Sequence, residues 1–543
     1  MGQQSIYSYD EIPYDSNPFP QSHPDRLATL ATLFGMTCES VKRCRVLELG
    51  SATGGNIIPM AYSLPESQFL GIELSACQVA DAEATIKALG LNNIEVRHLS
   101  IMDVSKDIGM FDYIIAHGLY SWVSDEVQEK ILRICLENLS PTGVAYVSYN
   151  TYPGWHFRGM IRDMMLYHTA HLREPKIRAA QARALLDFLA QSVPTQQNAY
   201  GIMLKNEVDV LRQQPDSYLL HDHLEEANEP IYFYQFIERA ARYGLQYLAE
   251  AEFNTMLTGN FPSEIAETLR RVSNEIVRTE QYMDFLRNRT FRQTLLCKKE
   301  IALNRNLTFQ SVLTSRIASS AKPVGEHVDI QSSQPDAFHL PDGRTFTTPN
   351  PILKAAFQYL SEIWPQSVPF NDLLNMVRAR LATVLIQDKE SLDRDARTLG
   401  VEVLTSYTTN VVTLRTQKAP FITEISDRPK ASSLARYQAR AGSRVTNQLH
   451  ESLPVEVFVR YLLELLDGRN DRSAILDQLV KLVAAGTLVV HKDGQQLREG
   501  ETLQNVLAQT VNEKLANLAK DALLINKPPA TNRLSWCAIS WVR

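Results

Sequence analysis

Residues 46–56 of the chain read VLELGSATGGN. An apolar run leads into a turn containing Gly50 and Gly54, so the stretch predicts a strand, a glycine-rich turn and the start of a helix. Glycines in such a turn let the backbone bend sharply and approach a ligand without a Cβ atom in the way. Glu73 ends the next predicted strand, where a carboxylate can hold both hydroxyls of a ribose. The two features together predict a nucleotide pocket.

The glycine spacing argues against a dinucleotide. A dinucleotide fingerprint reads G-x-G-x-x-G and places a pyrophosphate at a helix N-terminus, whereas here Glu48 stands two residues before the first glycine. A carboxylate at that place repels an anion and attracts an ammonium group. The helix start at Gly55 and Asn56 can receive a carboxylate. We therefore expect a ligand in which an amino acid is joined to a nucleoside.

Further strands and a third acid extend the pattern. Short β-branched runs recur at residues 94–98, 111–116 and 144–149, with a helical stretch at 76–89. This alternation is typical of a parallel sheet whose ligand crevice lies at the carboxyl ends of the strands. Asp103 follows the first of these runs, so acids stand at three successive strand ends. The succession favours a pocket over the alternative that Asp103 merely caps a turn.

These motifs resemble those of class I S-adenosylmethionine-dependent methyltransferases. The resemblance implies an α/β fold with a Rossmann-like seven-stranded core, closed by an antiparallel hairpin from residues 244–251 and 291–297, and S-adenosyl-L-methionine as cofactor. It implies that Glu48 faces the methionyl group, Glu73 the ribose and Asp103 the adenine amino group. The residues expected at the cofactor are Glu48, Gly50, Ser51, Gly54, Asn56, Glu73, Leu74, Met102, Asp103 and His117.

The acceptor side is expected in two aromatic-rich loops, 116–123 and 150–156. Methyl transfer from a sulfonium needs alignment and a neutral nucleophile, and an apolar slot lowers the pKa of an amine. Aromatic faces also attract a sulfonium or a cationic amine. His117 or His156 could instead act as a base, and a purely structural role is the alternative for each side chain. The residues predicted to be catalytic are His117, Tyr120, Trp122, Asn150, Tyr152 and Trp155.

Further motifs narrow the resemblance. They are the aromatic leader at 9–34, HGLYSWV at 117–123, NTYPGW at 150–155, LEEANEP at 224–230 and DFLRNRTFRQ at 284–293. As a set they resemble the bacterial methyltransferases that carry a methyltransferase regulatory domain. Among these are lysine methyltransferases that act on bacterial outer-membrane proteins. The resemblance therefore implies a protein substrate, with an outer-membrane protein as one candidate.

The first three parts of the chain follow from these motifs. Residues 1–160 are expected to form the cofactor-binding core with an N-terminal lid, or with an arm that only covers the sheet. Residues 161–243, which contain helical patterns at 179–189 and 199–211, are expected to be a helical insertion that regulates, selects substrate or forms a homodimer, unless it is inert. Residues 244–305 are expected to end the core sheet.

The remaining sequence predicts two α+β modules. In residues 306–425, helical patterns at 353–364 and 370–381 precede β-branched runs at 401–404 and 411–414, which suggests a middle winged-helix-like domain with a hairpin. Residues 426–543 repeat such an order and predict a C-terminal helical and winged-helix-like domain. The stretch 428–444 holds five basic residues and no acid. We interpret it as a solvated helix rather than a nucleic-acid site.

Composition restricts the function classes. The chain has 543 residues, 44% of them hydrophobic, and a net charge of −6, which disfavours general binding to nucleic acid or membranes. No apolar run reaches the length of a bilayer span and no signal peptide is evident, so a cytoplasmic protein is expected. The six cysteines form no C-x-x-C pair. The run His221-Asp222-His223 lacks a third ligand at fixed spacing, so we expect no metal and interpret these histidines as structural or surface residues.

Three functions are compatible with the sequence. A protein lysine N-methyltransferase is favoured, because the C-terminal modules suit a protein substrate. A small-molecule or lipid methyltransferase would need no such modules. A non-catalytic regulator that binds S-adenosylmethionine is the third, and the intact set of Glu48, Glu73 and Asp103 argues against it.

Overall fold

The structure is a computed structural model that describes residues 16–225, 227–325, 328–381, 389–492 and 495–526. The leader expected to form a lid is therefore described only from Ser16 onward. Among the helices in these ranges, none combines the length and the apolarity that a membrane crossing requires.

A seven-stranded sheet forms the core, as the sequence predicts. Its order is β3-β2-β1-β4-β5-β7-β6, and β7 alone runs antiparallel to its neighbours. This order brings the ends of β1 and β4 together at the centre, where a ligand crevice opens in parallel sheets. The strands are β1 (Arg45–Leu49), β2 (Gln68–Glu73), β3 (Ile94–His98), β4 (Phe111–Ala116), β5 (Leu139–Asn150), β6 (Leu245–Glu250) and β7 (Phe291–Lys298).

Helices cover both faces of this sheet. Buried aliphatic and aromatic side chains from the strands pack against them in two clusters, one on each face. The helices of the core are α1 (Pro24–Leu33), α2 (Ile57–Ser63), α3 (Ala76–Leu89), α4 (Asp125–Glu137), α9 (Phe233–Arg242), α10 (Ser263–Val272) and α11 (Ile276–Arg287).

A helical insertion separates β5 from β6. It consists of α5 (Trp155–Thr169), α6 (Pro175–Ser192), α7 (Ala199–Arg212), the short α8 (Asp216–Tyr218) and a π-helical turn at Leu219–His223. The insertion has its own hydrophobic core, to which Met165, Leu186 and Leu204 belong. The chain leaves the sheet and returns to it at one place, since Thr151 and Ile231 form a parallel bridge and the Ile231 N–H donates to the Asn150 carbonyl over 3.1 Å.

A buried ion network ties the last strands to α11. The guanidinium of Arg292 on β7 is fully buried and contacts Glu250 at 2.7 Å, Glu280 at 3.0 Å and Asp284 at 2.8 Å. It also lies 3.6 Å from the ring centroid of Phe233. Three acids around one arginine need a second cation, and Arg289 lies 3.5 Å from Glu250.

The middle region differs from its prediction. The run 401–404 lies inside a long helix, because Leu399, Val403 and Tyr407 recur every four residues and all three are buried. Residues 413–415 do form a strand, but Leu414 pairs with Ile317 rather than with a hairpin partner. The elements are β8 (Arg316–Ala318), β9 (Lys322–Pro323), β10 (Asp336–His339), β11 (Thr345–Thr348), α12 (Pro351–Ile363), β12 (Val368–Pro369), α13 (Phe370–Arg380), α14 (Lys389–Thr408) and β13 (Thr413–Arg415).

The C-terminal module combines helices with two antiparallel strand pairs. Leu462, Leu479 and Leu507 from three of its helices meet in one fully buried core. Its first helix carries part of the basic stretch. The elements are α15 (Ser433–Ala441), β14 (Arg444–Thr446), β15 (Ser452–Pro454), α16 (Val457–Leu465), α17 (Arg472–Ala484), β16 (Val490–Lys492), β17 (Gln495–Leu497) and α18 (Glu501–Lys520).

Candidate functional site

A cavity of about 430 Å³ opens at the carboxyl ends of the central strands. Two of the three strand-end acids, Glu48 and Glu73, and parts of both aromatic loops meet in it. Eleven of the residues predicted for the site line it: Glu48, Gly50, Ser51, Asn56, Glu73, Leu74, Met102, His117, Trp122, Asn150 and Trp155. Four others, Gly54, Asp103, Tyr120 and Tyr152, are not among its lining residues.

The glycine turn brings backbone to the edge of this cavity. Gly50 has φ +71°, and its N–H donates to the Ile72 carbonyl over 2.8 Å, which closes the turn between β1 and β2. Gly54 differs from the prediction because it faces the protein. A Cβ atom there would lie 2.5 Å from the Ile58 side chain. Its role is therefore to let α2 pack closely on the turn.

Glu48 is a buried acid with one unsatisfied oxygen. Its Oε1 accepts from Asn56 Nδ2 over 2.6 Å, whereas Oε2 has no hydrogen-bond partner among the described residues. Burial raises the pKa of Glu48 to about 8, against the opposing effect of the Asn56 hydrogen bond. A buried carboxylate lacking one partner fits an ammonium group. The methionyl end expected here is compatible with this geometry.

The leader contacts the start of α2. The Gly55 N–H, which we expected to receive a ligand carboxylate, donates to Ser16 Oγ over 2.8 Å. The Phe19 N–H donates to Asn56 Oδ1 over 2.9 Å. Ser16 and Phe19 line the cavity as well, so the leader forms part of the wall of the site.

Glu73 is held rigidly at the end of β2. Its Oε2 accepts from the Ala52 N–H over 2.9 Å, and its Oε1 accepts from the N–H groups of Leu74 at 2.8 Å and Ser75 at 2.9 Å. These three bonds fix the carboxylate plane while lone pairs remain for other donors. The orientation suits a pair of ribose hydroxyls.

The adenine end differs from its prediction at Asp103. Ser100, Ile101 and Met102 line the cavity, but Asp103 is exposed and its N–H donates to the Ser100 carbonyl over 3.0 Å to close a tight turn. Leu74 and Met102 are 48% and 45% exposed, so apolar surface is available there for a planar ring.

Aromatic and polar side chains line the part of the cavity where the methyl acceptor is expected. The rings of Trp122 and Trp155 meet edge to face with their centroids 6.2 Å apart. Asn150 Nδ2 donates to Asn228 Oδ1 over 3.1 Å. The insertion adds four lining residues that the sequence analysis did not place here: Arg158, Tyr218, His221 and Asp222.

Two predicted aromatic residues lie elsewhere. Tyr120 is fully buried behind the wall, where it packs edge to face on Phe236 at 5.2 Å, so its role is structural. Tyr152 stacks on His156 at 4.1 Å and lines a neighbouring cavity on the surface of α5. Only part of each aromatic motif therefore lines the cavity.

His117 lines the cavity but is a poor candidate for a base. Its Nδ1 lies 2.8 Å from the Tyr146 hydroxyl and its ring lies 3.7 Å from that of Phe19. Burial lowers the pKa of His117 to about 3, so its imidazole is neutral and too weakly basic to take a proton from an ammonium group. The other candidate, His156, lies outside the lining and contacts the Tyr232 hydroxyl at 3.0 Å. Within the described ranges, no group of three or more metal-ligating side chains is arranged to hold a metal ion.

Cofactor binding is expected to release a proton from Glu48. With a pKa of about 8, its carboxyl is largely protonated at pH about 7, and a cationic ligand favours the ionised form. Calorimetric titration with S-adenosylmethionine in buffers of different ionisation enthalpy should report release of about one proton. In Glu48→Gln, which cannot ionise, this release should disappear and binding should weaken. The same proton count in both proteins would contradict the assignment.

Three family models match the chain. A methyltransferase domain matches residues 46–143, a predicted methyltransferase regulatory domain matches 215–298, and a C-terminal winged helix domain of PKMT matches 427–523. The first covers the glycine turn and the adenine end, and the second covers the insertion's return and the Arg292 network. These matches identify the enzyme class and its cofactor as S-adenosylmethionine.

Similar proteins align over almost the whole chain. An uncharacterised protein of Rickettsia prowazekii is 38% identical over 526 residues, which are 95% of this chain and 93% of that protein. The structure of PKMT2 from Rickettsia typhi superposes with a TM-score of 0.85 at 31% identity and covers 94% of this chain and 100% of its own. The structure of PKMT2 from Rickettsia typhi in complex with AdoHcy superposes with a TM-score of 0.85 at 32% identity and covers 95% of this chain and 100% of its own. The chain therefore belongs to the family of S-adenosylmethionine-dependent methyltransferases that includes PKMT2 and carries a methyltransferase regulatory domain with a C-terminal winged helix domain.

Proposed function

We propose that the chain transfers methyl groups from S-adenosylmethionine to lysine side chains of a protein substrate. The observation that carries this proposal is a single cavity that is lined by Glu48 and Glu73 and also by the Trp122–Trp155 pair. The cofactor supplies a methyl group on a sulfonium. The attacking nitrogen forms the new C–N bond as the C–S bond breaks, and the nitrogen loses a proton before or after transfer.

The acceptor end supports an amine better than an anionic acceptor. Aromatic faces attract both an alkylammonium and the sulfonium, and a partly desolvated amine has a lowered pKa. The charge of Arg158, which also lines the cavity, is paired with Glu207 at 3.2 Å. The lysine would therefore meet aromatic rings rather than an unpaired cation.

The partner is proposed to be a protein, with an outer-membrane protein as the first candidate. The similarity to PKMT2 along the whole chain and the C-terminal winged helix domain support this choice. The test is incubation of the purified protein with labelled S-adenosylmethionine and a cell-envelope extract, followed by peptide mass spectrometry. Methylated lysine in outer-membrane proteins is expected. Label confined to lipids or small molecules would favour a small-molecule methyltransferase instead.

Trp122→Ala is expected to impair transfer more than it impairs cofactor binding. Losing one member of an aromatic pair and its cation–π contact removes roughly 1 to 2 kcal/mol, or about tenfold in kcat/KM. Single-turnover rates and calorimetric affinity for S-adenosylmethionine check the two quantities separately. Trp122→Phe, which keeps an aromatic face, should retain most of the rate. A rate unchanged in the alanine variant would remove Trp122 from the acceptor site.

We also propose that the helical insertion forms a homodimer. Tyr167 on α5 is 87% exposed, and Ile177 and Phe188 on α6 are 50% and 63% exposed. Exposed apolar side chains on two neighbouring helices are typical of an interface. Tyr167→Glu combined with Phe188→Glu should shift the mass measured by light scattering from dimer to monomer. The matched control is Val457→Glu, at an exposed position of the C-terminal module, and an unchanged mass in the double variant would contradict the proposal.

A further inference from the structure

One histidine of the C-terminal module contacts a residue that lines the cofactor cavity. His450 is buried, and its Nε2 lies 2.9 Å from Asn56 Oδ1. The same Asn56 donates from Nδ2 to Glu48 Oε1 over 2.6 Å. A chain of two hydrogen bonds therefore runs from the winged helix domain to the acid that faces the expected ammonium group.

The direction of these bonds follows from a backbone donor. The Phe19 N–H can only donate a hydrogen bond, so the Asn56 side-chain atom that lies 2.9 Å from it must be the amide oxygen. The second terminal atom of the Asn56 side chain is therefore the amide nitrogen. His450 must then donate to this oxygen, which places the proton on Nε2. Nδ1 of His450 accordingly needs no proton, and it has no partner among the described residues. Burial lowers the pKa of His450 well below its usual value, so the ring is neutral and adds no positive charge beside an ammonium site.

Hydrogen bonds within the loop that carries His450 restrict its conformation. It joins β14 to β15, and Asn447 Oδ1 accepts from the N–H groups of Leu449 and Glu451, both at 2.9 Å. The His450 N–H donates to the Asn447 carbonyl over 3.2 Å. His450 has φ +64°, a left-handed conformation that non-glycine residues adopt only when their surroundings enforce it. The ring is thus presented to Asn56 by a fixed loop.

We propose that His450 is a positioning residue for the methyl donor. It orients the Asn56 amide, and through it the Glu48 carboxylate, so that Glu48 Oε2 faces the cavity. The C-terminal module therefore completes the cofactor site of the core. This inference rests on the proposed role of Glu48 at the ammonium group, and it is independent of the identity of the acceptor.

The test compares two variants of similar size in the full-length protein. His450→Met fills the space but cannot donate, whereas the side-chain amide of His450→Gln can. Calorimetric titration with S-adenosylmethionine should show about five- to tenfold weaker binding for His450→Met, the worth of one lost hydrogen bond, and near wild-type binding for His450→Gln. In an Asn56→Ala background, His450→Met should cause no further loss, because its effect passes through Asn56.

A control separates this effect from loosening of the domain contact. The Ser433 N–H of the C-terminal module donates to the Tyr62 hydroxyl of the core over 3.0 Å, so Tyr62→Phe weakens the contact between the module and the core without removing the Asn56 hydrogen bonds. Its cofactor affinity should stay that of wild type. Wild-type affinity in His450→Met, an equal loss in Tyr62→Phe, or an undiminished loss in the Asn56→Ala background would each overturn the inference. If Glu48→Gln also binds normally, the ammonium assignment falls together with the inference. If Glu48→Gln binds weakly while His450→Met binds normally, only the inference falls.

Discussion

Glu73→Ala is expected to weaken S-adenosylmethionine binding by about 100-fold or more. Two hydroxyl groups that donate to one carboxylate contribute about 1.5 to 3 kcal/mol each, and each 1.4 kcal/mol corresponds to a tenfold change in Kd. The existing bonds to the Ala52, Leu74 and Ser75 N–H groups add to the effect, because they also hold the walls of the pocket. Isothermal calorimetry on the purified protein measures this loss directly.

The control for this prediction is an acid on the neighbouring strand. Glu95 lies on β3, is partly exposed, and pairs with Arg97 at 2.6 Å outside the cavity. Glu95→Ala should bind the cofactor as the wild-type protein does. Glu73→Gln, which keeps one acceptor oxygen, should fall between wild type and Glu73→Ala. Equal affinity in wild type and Glu73→Ala would remove the ribose assignment.

Arg292→Met is expected to destabilise the core by about 3 to 5 kcal/mol. The substitution leaves Glu250, Glu280 and Asp284 buried without their main cation, and uncompensated buried charge costs several kcal/mol. Denaturant titration, followed by tryptophan fluorescence, reports the free energy of unfolding. Arg43→Met serves as the control, because its pair with Glu66 is exposed and should contribute less than about 1 kcal/mol. A similar small loss in both variants would contradict the prediction.

The deficit of Arg292→Met should grow as the pH rises. Burial raises the pKa of Glu280 and of Asp284 above their usual values, and Arg292 opposes this shift. Without the arginine these acids bind protons more tightly in the folded than in the unfolded state, so stability falls as pH rises from the unfolded pKa toward the folded one. The difference from wild type should therefore be smaller at about pH 5 than at about pH 8.

The core sheet was predictable because its signals are local. Each strand of the first half is a short apolar run, and the turn at Gly50 needs a residue that adopts positive φ. Helix α14 was not predictable, because Val401 and Val403 are β-branched residues typical of a strand and Gly400 is typical of a position where a helix breaks. In the structure Gly400 lies against Phe309, where an added Cβ would come within 3.0 Å of the Phe309 Cβ. A packing contact between distant segments therefore explains the glycine.

The cofactor half of the site followed from sequence better than the acceptor half. Glu48 and Glu73 stand at strand ends, which topology brings together. His221 and Asp222 come from the far end of the insertion, and their position depends on how its helices pack. The run His221-Asp222-His223 is visible in the sequence, but no local sequence signal predicts that it lies near Trp122. The contact of His450 with Asn56 is likewise set by docking of separate domains.

The helical insertion enters and leaves the sheet at a single point, through the Thr151–Ile231 bridge. A segment attached in this way can be exchanged or rebuilt during evolution without disturbing the strands on either side, since its own core holds it together. Because it also supplies Tyr218 and Asp222 to the acceptor end, such an exchange would change which molecules are methylated and leave the donor pocket intact. Relatives whose sequences diverge in this segment are therefore expected to differ in their methyl acceptor, while they keep the same pocket for the methyl donor.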